Sequence, residues 1–480
     1  GPDQSPSGAV RRGARARKPV PCRAVGAAVP GHYQGKTMNG ITIAADDTSV
    51  ARQDYDVIVV GAGFAGAAAA RELSARGLET LVLEARHRLG GRTWTDTFAG
   101  RSVEMGGQFV SEGHPLVMDS LRRYGIGTVS GPAPTRAVMP TPDGPGTFTL
   151  ADLVTRQGGL LEKLFEGSRN YFPLPEEPLF RADLIRDLDR LSLRDRLDEL
   201  DVSPADESWV TGITAGQSGG SSSFSALTSL AQWWALAGWN TTDWYASQTL
   251  RPATGMSGLI EAVLGDSTAT VCLNAPVRAI TQNGERVTVT AGLGRGYTAK
   301  AVVVAVPVNT WKTIKFSPGL PRVHAVATRQ GVGVPNMRKL WLHVRGLEDD
   351  VVVNGAEGDP FAALVSQGRL ADGQLMFGIN ALPALDIRDR SAVELALKEV
   401  LPEATLVDFR AHDWGADPYS RGAWALRKPG QLTTQLPDIQ HPHGRMTFAT
   451  SDIASGWIGF VEGAFESGLR AAQQATALVH

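Results

Sequence analysis

The sequence is poor in cysteine: its 480 residues hold only 2, Cys22 and Cys272. A disulfide framework is thereby excluded, and a reducing, cytoplasmic setting is the natural expectation. No run of about 18 apolar residues occurs, so nothing reads as a membrane-spanning helix. The chain also lacks the His/Cys/Asp spacings of a metal site, the G-x-S-x-G elbow of a serine hydrolase and a C-x-x-C pair. No metal is therefore expected, and hydrolytic or dithiol chemistry has no foothold. The 9 histidines are scattered, with His441 and His443 flanking a loop proline as surface residues would.

An excess of positive charge is missing too. The formal net charge is −2, but residues 1–37 hold seven basic residues against the single acid Asp3, which leaves the rest of the chain at about −8. An acidic body argues against nucleic acid as a partner. Lysine is scarce, only 9 of the 47 basic residues. So large an arginine surplus is what GC-rich coding leaves, and it points to a bacterial source. Gly1-Pro2 opens without Met and looks like a protease scar, and Met38 is the first Met. Residues 1–53 therefore read as a leader or appended arm, basic and without an apolar or amphipathic repeat.

Order is expected from Asp54. The apolar, β-branched run at 56–60 predicts a buried parallel strand. It leads into Gly61-Ala62-Gly63-Phe64-Ala65-Gly66, an alanine-rich helix to about Arg76, and a second apolar run, Leu81 to Leu83, that ends at Glu84. G-x-G-x-x-G alone is a weak signal, but between strand and helix, with an acid 23 positions beyond the first glycine, it predicts dinucleotide binding. Gly61 permits the turn, Gly63 lets backbone N–H groups approach a pyrophosphate, and Gly66 lets helix and strand pack closely. The helix N-terminus favours the phosphates, and Glu84 accepts from ribose hydroxyls while repelling a 2′-phosphate. Two more glycine pairs, in Arg86-His87-Arg88-Leu89-Gly90-Gly91-Arg92-Thr93 and Glu104-Met105-Gly106-Gly107-Gln108, bring bare backbone to an extended ligand, and Arg92 can neutralise a pyrophosphate. A ligand running past its pyrophosphate into the protein is FAD-like.

Further along, the pattern predicts a helix at 114–124 stopped by Gly125, weak periodicity from 130 to 180, and a mainly helical stretch at 181–250 carrying Trp233, Trp234, Trp239 and Trp244. Next come a helical turn at 257–264, a strand at 269–273 and a hairpin across 276–305 that turns at Asn283-Gly284. A one-face-buried strand at 336–345, a strand at 446–449 and a closing helix from about Gly459 to Val479 complete the chain.

The stretch from Asp56 to Val110, with E-A-R-x-R-L-G-G-R-T and E-M-G-G-Q-F-V, resembles the flavin-containing monoamine oxidase family, which includes polyamine and L-amino-acid oxidases. The resemblance returns at Leu273-Asn274-Ala275-Pro276-Val277, at Val304 to Pro307, and from Phe448 through Ala464. It implies an α/β fold: a Rossmann-like FAD-binding domain of GR2 type, discontinuous at 54–130, 250–305 and 425–480, with an inserted α+β substrate-binding domain at 131–249 and 306–424. By the same resemblance FAD is contacted by Gly61, Gly63, Ala65, Gly66, Glu84, Ala85, Arg86, Gly91, Arg92, Met105, Gly106, Gly107 and Gln108. Val277 contacts adenine through its backbone. Gly459, Phe460 and Val461 start a helix aimed at the flavin ring, and Asp452 stands where the family has a flavin-contacting Glu. Lys339 resembles the lysine that holds a water against flavin N5 and assists reoxidation. Trp424 and Phe460 match the two aromatic walls of the substrate slot, here without phenol hydroxyls.

Departures from the family pattern inform as well. The usual A-G-T-E is Ala449-Thr450-Ser451-Asp452, and the cysteine that tethers flavin in mitochondrial members is Ala423, so FAD is expected to be held non-covalently. The chain stops at His480, directly after the closing helix, so the membrane tail of those relatives is not expected either. The implied reaction is hydride transfer from an amine C–N unit to FAD, giving an imine, with O2 as reoxidant and H2O2 as product. Two alternatives stay open: the same chemistry on an N-acyl amine or amide in bacterial antibiotic biosynthesis, with the imine used for cyclisation, and an L-amino-acid oxidase. The latter needs a cation for the substrate carboxylate, and Arg338 and Arg421 are the candidates. Glu104 reads as a structural acid, and Glu462 as a further polar group near the flavin. Partners are a small amine or amide and O2, without nucleic acid or membrane, and a homodimer is left open.

Overall fold

The computed structural model describes residues 52–480. Cys22 and nearly all of the arm at 1–53 lie outside the described residues. Two sheets organise the rest. In the first, strand Asp54–Val60 lies between Arg295–Val304 and Thr80–Leu83, parallel to both. Thr270–Cys272 extends the parallel layer beyond Thr80–Leu83, and Met446–Phe448 joins it alongside Val302–Val304. Val57, Ile58 and Val59 are fully buried, as a strand covered on both faces requires. The hairpin strands Val277–Asn283 and Arg286–Ala291 continue this sheet antiparallel.

Helix Phe64–Ala75 covers one face of that sheet and packs along the closing helix Val461–Val479. The contact is close because both surfaces are small. A Cβ on Gly66 would lie 1.9 Å from the Gly61 carbonyl oxygen, and Gly61 itself has φ +106°. No residue with a side chain satisfies both positions.

The second sheet runs, in spatial order, through Thr405–Asp413, Arg338–Arg345, Gly373–Asn380, Ala363–Leu370, Val351–Asn354, Arg136–Thr141 and Gly144–Phe148. Helices Leu150–Leu164, Pro204–Gln217, Leu227–Ala237 and Thr241–Ala246 form the helical part predicted for 181–250, beginning earlier than expected. The weakly periodic stretch at 130–180 is in fact ordered as two strands, a 15-residue helix and the short helix Ser168–Tyr171. Its start is a reciprocal cap, in which Thr149 accepts from the Asp152 N–H and the Asp152 carboxylate accepts from the Thr149 N–H. One proposed boundary moves as well. Lys315–Ser317 pairs with Val277–Asn283, so the chain leaves the first sheet after 317 rather than at 305. Among the described residues no helix is long and apolar enough to cross a membrane, and no cluster of metal-ligating side chains occurs.

Candidate active site

A cavity of about 1150 Å³ runs from the glycine turn of the first sheet to the second sheet and the helices. That exceeds the roughly 300–1,000 Å³ of an ordinary small-molecule site, so it can hold more than one ligand. At one end lie Gly61, Gly63 and Ala65 of the turn, then Glu84, Ala85 and Arg86 at the second strand's end. Helix Phe64–Ala75 begins here with no side-chain cap and no acid in its first turn, so its leading N–H groups are left for an anion. Gly63 faces Gly91, whose Cβ position would be 3.4 Å from the Gly63 Cα, and the two bare backbones make a narrow floor. Glu84 is buried. One of its oxygens accepts from the Ala62 N–H at 2.8 Å and the other from the Arg86 N–H at 2.8 Å, which leaves one lone pair on each for a hydroxyl. Arg86 is steered by Asp417 at 2.7 Å and Ser420 at 2.9 Å. Val277 and Arg278 close this end.

Further in, Gly91, Arg92, Gly106, Gly107 and Gln108 line the cavity. A Cβ on Gly106 would lie 2.1 Å from the Arg92 carbonyl oxygen and 2.8 Å from Trp414. Arg92 forms an ion pair with Asp452 at 2.7 Å and donates to the Ala423 carbonyl at 2.8 Å. These contacts correct one expectation. Asp452 is fully buried and off the cavity wall, and its second oxygen accepts from the Val308 N–H at 2.9 Å, so it holds Arg92 in place instead of touching a ligand. Thr450 and Ser451, the departures from the family pattern, line the cavity there. Met105 and Gly66 are also off the wall. Met105 is buried in a small apolar cluster, and Gly66 serves the helix-strand contact.

Lys339 lies on strand Arg338–Arg345, which is flanked on both sides by neighbours, so it is no edge lysine facing water. Its ammonium donates to the Gly106 carbonyl at 2.9 Å and to the Gln108 amide oxygen, between the rings of Trp341 and Phe377. Burial pushes its pKa well down, opposed in part by the Glu104 carboxylate. Glu104 is buried in turn, accepting from the Met256 N–H at 3.0 Å and from the Thr95 hydroxyl, in keeping with a structural acid. Glu462 plays a similar part: its carboxylate accepts from the N–H groups of Leu116 and Val117 at 2.9 Å each, at the start of helix Pro115–Tyr124.

Trp424, Gly459, Phe460 and Val461 line the cavity near Lys339's sheet. The Trp424 indole N–H donates to the Gln217 carbonyl at 2.8 Å, and Trp233 packs edge-on to Phe460 at 4.9 Å. The four clustered tryptophans divide. Trp233 and Trp244 face the cavity, whereas Trp234 is buried in the core and Trp239 packs below with its N–H on the Phe172 carbonyl. Sequence reasoning missed several wall residues of the helical part and second sheet, among them Gln157, Tyr245, Gln217, Asn354 and Gln367. Only the Thr149/Asp152 cap could have placed the helix that carries Gln157.

The charges on this wall are segregated. Its charged residues are Glu84, Arg86, Arg92, Arg278, Lys339 and Arg421, and the wall contributed by residues 130–250 and 352–379 has none. Arg338, a candidate carboxylate clamp, is off the wall, donating to Asp413, Asn380 and the Leu382 carbonyl. Arg421 is on the wall but belongs to the loop of Ser420, beside Arg86. The one cysteine among the described residues, Cys272, is buried in its strand and off the cavity wall.

The chain matches the family model described as flavin containing amine oxidoreductase over residues 64–476. It is 33% identical over 422 residues to the pseudooxynicotine dehydrogenase of a Pseudomonas species, covering 86% of this chain and 85% of that protein. It is 34% identical over 432 residues to the nicotine dehydrogenase of Pseudomonas putida S16, covering 89% of each. A solved putrescine oxidase, wild type bound to putrescine, superposes with a TM-score of 0.76 at 26% identity, over 88% of this chain and 99% of that one.

Proposed function

Since this chain belongs to the flavin-containing amine oxidoreductase family, we propose that it oxidises a monoamine without a second charged group, using O2 as terminal acceptor. FAD dependence and oxidation of an amine follow from the family. The residues present fit the cofactor: uncapped helix N-termini, facing glycines and an arginine already oriented by a buried carboxylate suit a pyrophosphate, and the cavity, about 1150 Å³, has volume left for a flavin beyond it. With Ala423 in place of a cysteine and Cys272 off the wall, we take FAD to be held without a covalent bond.

When bound, FAD supplies the acceptor for a hydride equivalent from the carbon next to nitrogen. The protein's own work is to hold that carbon and keep the nitrogen unprotonated. Trp424 and Phe460 present aromatic faces to the C–N unit, and the uncharged wall behind them offers no counter-ion to an ammonium. We assign Lys339, which is desolvated between two rings and anchored on Gly106 and Gln108, the role of holding a water at the flavin edge and moving a proton there during reoxidation.

The observation that carries the substrate class is the absence of any charged side chain from the wall of residues 130–250 and 352–379. A diamine's remote ammonium would find no carboxylate there, and an amino acid's carboxylate would find no arginine. Two relatives are named for nicotine and pseudooxynicotine, amines that carry no carboxylate and no second aliphatic ammonium. An N-acyl amine is neutral too and shares this observation, so it stands as the second reading. The test is turnover of the FAD-loaded protein in air on apolar monoamines, N-acyl amines, diamines and amino acids. Monoamine consumption with equimolar peroxide is expected. Preference for diamines or amino acids would overturn the substrate class, and amine consumption without peroxide would overturn O2 as acceptor.

A further inference from the structure

Resting on the amine-oxidation reading above, we propose that Tyr245 and Gln157 form a specificity site that selects substrates carrying a hydrogen-bond donor, an O–H or N–H, on the end remote from the reacting C–N unit. Both residues line the cavity from the helical part of the protein, on helices Thr241–Ala246 and Leu150–Leu164. The aromatic wall leads from one locus to the other. Phe460 packs on Trp233, and Trp233 and Trp244, the neighbour of Tyr245, both line the cavity, braced from behind by the core residue Trp234, whose ring lies 6.0 Å from that of Trp244.

The polarity of the site is fixed by a chain of hydrogen bonds. Gln157 is 1% exposed, and its amide N–H donates to the Trp209 carbonyl at 2.7 Å. A carbonyl only accepts, so the NH2 end of the amide must face it and the oxygen end must face the other way. That oxygen takes the Tyr245 hydroxyl proton at 2.6 Å. Tyr245 has therefore committed its only donor, and no group among the described residues donates to its oxygen. What the pair offers a ligand is a lone pair. Because burial pushes the Tyr245 pKa up, the hydroxyl keeps its proton at working pH and the chain keeps its direction. A methyl ether or an aprotic ring nitrogen brought to the same place would face lone pair with lone pair. An alcohol, phenol or N–H group would be satisfied.

The experiment compares matched hydroxy and methoxy arylalkylamines of several chain lengths, tyramine and its O-methyl ether among them, on the FAD-loaded wild type, Tyr245→Phe and Gln157→Met. The wild type should favour the hydroxy member of the best-fitting pair by about threefold to tenfold in KM, at similar kcat, the span of one neutral hydrogen bond. Tyr245→Phe should erase the preference. Gln157→Met frees the hydroxyl to donate, so the methoxy member should recover. A role in packing alone would slow both members of each pair alike. An unchanged hydroxy-to-methoxy ratio in Tyr245→Phe, or a methoxy deficit that persists in Gln157→Met, would overturn the proposal while leaving amine oxidation intact. If no amine of the series is oxidised by the wild type, the monoamine substrate class proposed above falls first and the specificity site with it.

Discussion

Replacing Arg92 by Met separates what the arginine does for the fold from what it does for a phosphate. Its partner Asp452 is fully buried, whereas the Arg92 side chain keeps 19% of its surface exposed. Removal therefore strands a carboxylate that water cannot reach, with the Val308 N–H as its remaining strong donor. Breaking a buried pair from one side costs about 3–5 kcal/mol, and the partial exposure of Arg92 places this case near 3. Urea unfolding of the FAD-free protein should show the lowered midpoint. Arg92→Met combined with Asp452→Leu should recover most of it, because two apolar side chains leave no stranded charge. FAD affinity should behave differently, falling about tenfold or more in both the single and the double variant, since both lack the Arg92 cation beside the glycine floor. A loss below about 1 kcal/mol in Arg92→Met, or a double variant no more stable than the single, would show that Asp452 is not stranded by losing Arg92.

Three further outcomes are expected. Lys339 is more easily deprotonated folded than unfolded, because burial lowers its pKa, so in the window between its depressed value and about 10.4 the unfolded chain binds more protons and stability rises with pH. The slope should reach at most about 1.4 kcal/mol per pH unit. Lys339→Met should flatten it in thermal unfolding of the FAD-free protein, and should also reoxidise slowly in air. Gly66→Ala should yield little folded protein by circular dichroism, since its methyl would lie 1.9 Å from a backbone oxygen that cannot move without opening the glycine turn. Denaturing the holoprotein and removing the precipitate should leave the yellow cofactor in solution, and colour retained on the polypeptide would contradict a non-covalent site.

The cofactor half of the cavity was legible because its constraints are local. A strand feeding Gly61, Gly63 and Gly66, an acid at the next strand's end and two further glycine pairs are set by backbone approach, which leaves glycine in the sequence. Lys339 needed the fold. Its alternating strand left open whether it faced water, and only pairing with Gly373–Asn380 on one side and Thr405–Asp413 on the other buries it. Asp452 misled because position in a motif does not give side-chain direction, and Arg92, distant in sequence, turns it inward. Gln157 and Tyr245 are 88 residues apart and join through one hydrogen bond, so nothing in either local sequence signals the other. The helical part was recognised by composition but not mapped, because its apolar residues serve cavity wall and core alike, as the divided tryptophans show.

Amine oxidation in this cavity is tested most directly by anaerobic titration of the FAD-loaded protein with an apolar monoamine, followed by the visible absorbance of the flavin. Complete bleaching is expected with one equivalent of amine converted to imine, and it should be lost when Trp424 and Phe460 are both replaced by Ala while FAD stays bound. An absorbance that no amine changes, in protein that holds FAD, would contradict amine oxidation here.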